Sequence, residues 1–167
     1  MALLGSSEMP PALLFDLNQI DLSKEPVFNR QDIEKVNPQR YEMQQLDGVL
    51  WYDKDKLQIL GFKDVSDNEF WIRGHIPGRP LMPGVLMVEA AAQLASFFVK
   101  HIFRFHDAFI GFSGIDSAKF RAVVEPGNRL YLLSRLTQFK RRKFTCLTQG
   151  IVNDTMVFEA VVSGMKV

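Results

Sequence analysis

His75 and Glu89 lie fourteen residues apart, and the chain between them has the composition of a rigid support. The run Gly74-His75-Ile76-Pro77-Gly78-Arg79-Pro80-Leu81-Met82-Pro83-Gly84 holds three glycines and three prolines. Prolines fix φ and glycines permit close backbone approach, so the loop has a restricted shape and holds His75 at the mouth of the next element. That element carries a helix signal. Pro83 suits a first turn, and 85–100 contains no breaker. The leading amides of such a helix, at Gly84 and Val85, lack intrahelical acceptors and point toward partial negative charge. An imidazole, a carboxylate in an apolar setting and two unpaired amides are the parts needed to take a proton from the carbon beside a carbonyl.

The helix, expected over about 83–101, is apolar on nearly every side, and its polar residues Glu89, Gln93, Ser96 and Lys100 form one stripe. Such a helix needs cover on most of its surface. The rest of the chain supplies strands at 46–52 and 56–65 around an Asp53-Lys54-Asp55 turn, then at 108–121, 129–140, 144–152 and 156–167. The expected class is α+β, a curved antiparallel sheet wrapped around one long central helix. Residues 13–167 read as one domain, and 1–12 as a mobile start of small residues and prolines. The extension over 13–36 is expected to add a strand and a helix, the latter at 31–36 with Asn29 as its cap, packed over the sheet or a neighbouring protomer.

Bulk properties narrow the partners. With 20 Lys and Arg against 19 Asp and Glu in 167 residues, no overall field draws the chain to nucleic acid or an anionic membrane. Cys146 is the single cysteine, which fits a reducing cytoplasm and a small core residue. No export signal or lipid-facing span is expected. His101 and His106 do not make a ligand pattern, so neither a metal nor a redox cofactor is expected. The basic run Lys140, Arg141, Arg142 and Lys143, with Lys119 and Arg121, reads either as a solvated hairpin tip or as a site for an acidic partner.

From Gly74 to Glu89 the sequence resembles the (3R)-hydroxyacyl-acyl carrier protein dehydratases of the FabZ and FabA families. The likeness extends through Gly114-Ile115-Asp116-Ser117-Ala118-Lys119-Phe120-Arg121 and Val123-Val124-Glu125-Pro126-Gly127-Asn128, and covers roughly 38–167. Glu89 stands where the FabA branch usually has aspartate, which favours FabZ. The resemblance implies a hot-dog fold and a homodimer, or a hexamer as a trimer of dimers, whose sites pair His75 of one protomer with Glu89 of the other. It further implies dehydration of a (3R)-hydroxyacyl thioester on acyl carrier protein to the trans-2-enoyl product. His75 would take the C2 proton, Glu89 would protonate the leaving hydroxyl, the Gly84 amide would hold the thioester oxygen, and Gln93 and Val85 would support them. No cofactor is implied. A non-catalytic acyl-carrier binding subunit and a hot-dog thioesterase are the alternatives. The polar stretch Glu42-Met43-Gln44-Gln45 departs from the family's apolar first strand, and Ile76 replaces its usual phenylalanine.

Overall fold

The computed structural model describes Met9 and residues 11–167. Among the described residues two α-helices, α1 at Arg30–Glu34 and α2 at Gly84–Phe103, accompany seven strands. These are β1 at Phe28–Asn29, β2 at Gly48–Asp53, β3 at Gln58–Asp64, β4 at Ile110–Phe120, β5 at Arg129–Lys140, β6 at Lys143–Val152 and β7 at Thr155–Lys166. They form one antiparallel sheet in the order β1-β2-β3-β5-β6-β7-β4, and α2 lies against β3 through β7. This is the hot-dog arrangement. The long strands fall within two residues of their expected limits.

Local chemistry explains the elements. Asp53 Oδ1 accepts from the amides of Asp55 and Lys56, both at 2.9 Å, and so closes the β2–β3 turn. Asp64 closes the far end of the β3–β5 ladder by a two-pronged pair with Arg129, at 2.6 and 2.8 Å. The end of α2 comes at Phe103, two residues later than expected, where Arg104 turns left-handed at φ 55° and its amide reaches Lys100 O. By length and hydropathy α2 could cross a membrane. Yet 61% of that stretch is buried within the protein, as befits a core helix.

The sheet is apolar on both faces. On β5, Leu130, Leu132 and Leu136 turn inward to join Leu94, Phe97 and Phe98 of α2, while Leu133 joins a separate cluster with Leu50, Leu60, Phe62, Ile151 and Met156. Leu14, Phe15, Leu17, Ile20 and Leu22 cover that second cluster. The extension is therefore a strap. Gln149 pins it, accepting from the Leu14 amide at 2.9 Å and donating to Ala12 O at 3.0 Å.

The extension holds less regular structure than expected. Its helix covers Arg30–Glu34 rather than 31–36, closed by a capping box between Asn29 and Asp32, and its strand is two residues long. Asn37-Pro38 prevents continuation, and a short 3-10 turn, Leu17–Gln19, sits over the apolar face instead. The expectation of a mobile start over 1–12 lies outside the described residues except at Met9, Pro11 and Ala12.

Candidate active site

The loop that presents His75 is tied at both ends. Its start is held by Val65, whose amide donates to Asn128 O at 2.9 Å, and its end by Met82, whose amide donates to Val124 O at 2.8 Å. Between them, the amides of Gly74 and His75 both donate to the carbonyl of buried Trp71, at 3.1 and 2.7 Å. Leu81 N returns to His75 O at 2.9 Å, so the two sides of the loop are locked together. The imidazole is held in the same way, with Nδ1 2.8 Å from Leu81 O. A carbonyl can only accept, so Nδ1 carries a proton, and in the neutral ring Nε2 is the nitrogen with the lone pair. His75 is exposed and aims that lone pair away from its own backbone support.

Gly84 opens α2 beneath the ring of Phe120 from β4. A Cβ at this position would lie 2.8 Å from that ring, so any larger residue would make the Phe120 side chain shift. Val85, next along, is exposed.

Glu89 is half-buried, and Gln93 governs it. Gln93 Nε2 donates to Glu89 Oε1 at 2.7 Å and to Met43 O at 2.7 Å, while its Oε1 accepts from Gln45 N at 3.0 Å. Every polar group of that amide is engaged, which leaves one orientation. Asn37 Nδ2 adds a bond to Gln93 O at 2.9 Å. Thus the backbone at Met43 and Gln45 is the cradle of the orienting glutamine. Sequence reasoning misses that role, because every residue type offers the same backbone groups. The stripe on α2 is real: Glu89, Gln93 and Ser96 line one cavity of about 60 Å³, closed by Ile110, Phe144 and Ser163. Lys100, further along, donates to Val36 O at 2.8 Å and ties α1 to the central helix.

Not every expected group comes together in one chain. Among the described residues no hydrogen bond joins His75 to Glu89. The basic residues are also divided. Lys143 lies across from Met165, and Met165 from Gly111, so the hairpin of Lys140, Arg141, Arg142 and Lys143 borders the start of β4. Lys119 and Arg121 lie at its other end, with Arg121 paired to Glu159.

A family profile described as a FabA-like domain matches residues 37–161. The chain belongs to this family, on its FabZ branch. It is 34% identical over 143 residues to the 3-hydroxyacyl-[acyl-carrier-protein] dehydratase FabZ of Coxiella burnetii, covering 84% of this chain and 98% of that one. The FabZ of Koribacter versatilis is 36% identical over 138 residues, 82% of this chain and 88% of its own. Among solved structures, the dehydratase heterocomplex ApeI:P from Xenorhabdus doucetiae superposes with a TM-score of 0.69 at 11% identity, covering 81% and 90% of the two chains. That last likeness carries the fold alone. As a FabZ-type chain, it keeps its histidine on the loop before α2 and its glycine and glutamate on α2 itself, and the strap over 13–27 lies outside the matched domain.

Proposed function

We propose that this chain dehydrates (3R)-hydroxyacyl thioesters carried by acyl carrier protein, giving trans-2-enoyl thioesters, and that its working unit is a homodimer. The observation that carries the reading is the hydrogen bond from His75 Nδ1 to Leu81 O, because it makes Nε2 a base before any substrate arrives. His75 removes a C2 proton, and the developing negative charge on the thioester oxygen meets the amides of Gly84 and Val85. The C2 electron pair forms the C2–C3 double bond as the C3–O bond breaks. Glu89 gives the departing hydroxyl a proton, and water leaves. The proton on His75 returns to Glu89 to reset the pair. The chemistry calls for no metal or redox group.

The dimer reading rests on β4. This strand of eleven residues forms a sheet edge, and Phe112, Ile115 and Phe120 on it are 52%, 47% and 51% exposed. A long apolar edge invites a second strand. Antiparallel pairing of two such edges carries the exposed His75 loop toward Glu89 of the partner subunit. The same pairing sets Lys119 and Arg121 of one protomer near the Lys140–Lys143 hairpin of the other, a patch suited to an acidic carrier protein. A trimer of such dimers is the larger assembly open to it, and the reducing cytoplasm suits the chain.

Hydration of an enoyl thioester, the reverse reaction, tests the function. The native protein hydrates it, and His75→Ala and Glu89→Gln each lose that activity. Equal rates in all three overturn the reading. Release of free thiol makes the protein a thioesterase, and carrier binding without either reaction makes it a binding subunit.

A further inference from the structure

Lys63, on β3, is a charged residue where a sheet ordinarily takes an apolar one, and its side chain is only 5% exposed. Its ammonium lies 2.9 Å from Glu69 Oε1 and 3.7 Å from Asp47 Oδ2. Asp47 in turn accepts from Arg30 Nη1 at 3.2 Å through Oδ1, and from the Asp64 amide at 2.8 Å through Oδ2. Two cations and two carboxylates form a neutral chain of contacts. It begins on α1, in the extension, and ends on Glu69, in the turn before His75.

At Glu69 the contacts converge. The same oxygen that meets Lys63 accepts from the Ser66 amide at 3.2 Å and its hydroxyl at 3.4 Å, and this folds 66–69 into a closed turn. Ile72 N then bonds Glu69 O at 3.1 Å, and Trp71, two residues beyond Glu69, supplies the carbonyl that receives the His75 amide. Glu69 is 10% exposed and touches none of the proposed reacting groups. A buried ion pair of this kind is a poor source of net stability, because desolvation offsets most of the attraction. It is well suited to fixing a geometry, since a carboxylate buried beside an ammonium has one low-energy place.

We infer that Lys63 and Glu69 are positioning residues for His75. Their ion pair fixes the turn at 66–69, and that turn sets the Trp71 carbonyl and hence the loop that keeps the His75 proton on Nδ1. Arg30 and Asp47 extend the support to the segment ahead of the β2–β3 hairpin. This inference rests on the dehydratase reading for its kinetic consequence but not for its structural one.

The test uses the full chain with Glu69→Gln, which keeps shape and one acceptor but removes the charge, and Lys63→Met as a second variant. Leu133→Ala, in the cluster under the strap, serves as a destabilised control. Enoyl-thioester hydration gives kcat and KM, and imidazole ¹⁵N resonances, with His75 assigned by its loss in His75→Ala, give the tautomer. Glu69→Gln is expected to lower kcat about tenfold or more with KM nearly unchanged, as displacement of a catalytic group does. Its His75 resonances shift from the single Nδ1–H form toward a mixture. Leu133→Ala lowers the melting temperature with neither change. Native kcat and an unshifted His75 tautomer in Glu69→Gln overturn the inference. A native protein without hydratase activity, in which Glu69→Gln still shifts the tautomer, overturns the dehydratase reading and leaves the positioning intact.

Discussion

On the inner face of the sheet, Leu130, Leu132 and Phe158 pack against Leu94 and Phe98 of α2; on the outer face, Leu60, Leu133 and Ile151 pack beneath Leu14, Phe15 and Ile20 of the strap. Both clusters are buried, and the same burial of apolar area stabilises each. The chemistry resides on one. The inner packing fixes the azimuth of α2, and so aims Glu89 and Gln93 into their cavity, whereas the outer packing holds none of the proposed reacting groups. Both faces therefore stabilise the sheet, but only one positions the proposed reacting groups.

That division can be broken by paired truncations. Phe98→Ala removes a fully buried ring from the inner face and is expected to cost roughly 3–5 kcal/mol by urea unfolding, with activity lost as α2 shifts. Leu60→Ala on the outer face is expected to cost roughly 2–5 kcal/mol, with kcat of the folded fraction unchanged. A fall in kcat in Leu60→Ala as large as that in Phe98→Ala would remove the distinction.

A sharper probe leaves packing nearly alone. Gln93→Leu deletes the donor to Glu89 Oε1 and leaves the Met43 carbonyl without it. Hydrogen bonds to charged groups contribute about 1.5–3 kcal/mol, so kcat is expected to fall roughly 10–100-fold, with a smaller change in KM. Unchanged kcat would show that Glu89 needs no orienting partner.

Two titrations give smaller effects. Burial among inner-face side chains pushes the Cys146 thiol up to about 12 from 9.0, against a weaker opposing hydrogen bond with Ser134. Only the unfolded chain can ionise in that window, so stability falls as pH rises from 9 toward 12, and Cys146→Ala flattens the slope. His101 sits among Phe28, Tyr52 and Phe97, where burial first, and then the charge of His106, holds it below its ordinary 6.5. Its contribution is complete above pH 6.5 and is lost as pH falls through the lowered folded value. Melting curves from pH 7.5 down to 5 are expected to decline less in His101→Phe than in the native chain.

The parts legible from sequence are those whose pattern is local. The breaker-free run after Pro83, the alternating strands and the turn residues mark the central helix and the long strands, and the polar stripe marks the Glu89–Gln93 pair. The strap is harder to read because its apolar residues, at 14, 15, 17, 20 and 22, follow no helical or strand period and are placed by the sheet beneath them. The partners of Gln93 are backbone groups 48 and 50 residues earlier, which no residue type marks in the sequence. Nor does the sequence mark the exposed edge of β4. Its apolar edge is visible in the sequence only as another strand.

The account stands on a site divided between two protomers, and complementation tests that most directly. His75→Ala and Glu89→Gln proteins are each expected to be inactive. Mixed, unfolded and refolded together, they form heterodimers in which one site carries both substitutions and the other neither. Random pairing should then restore roughly a quarter of the native hydration rate. A mixture no more active than its parents, with heterodimers demonstrably present, would contradict a shared site.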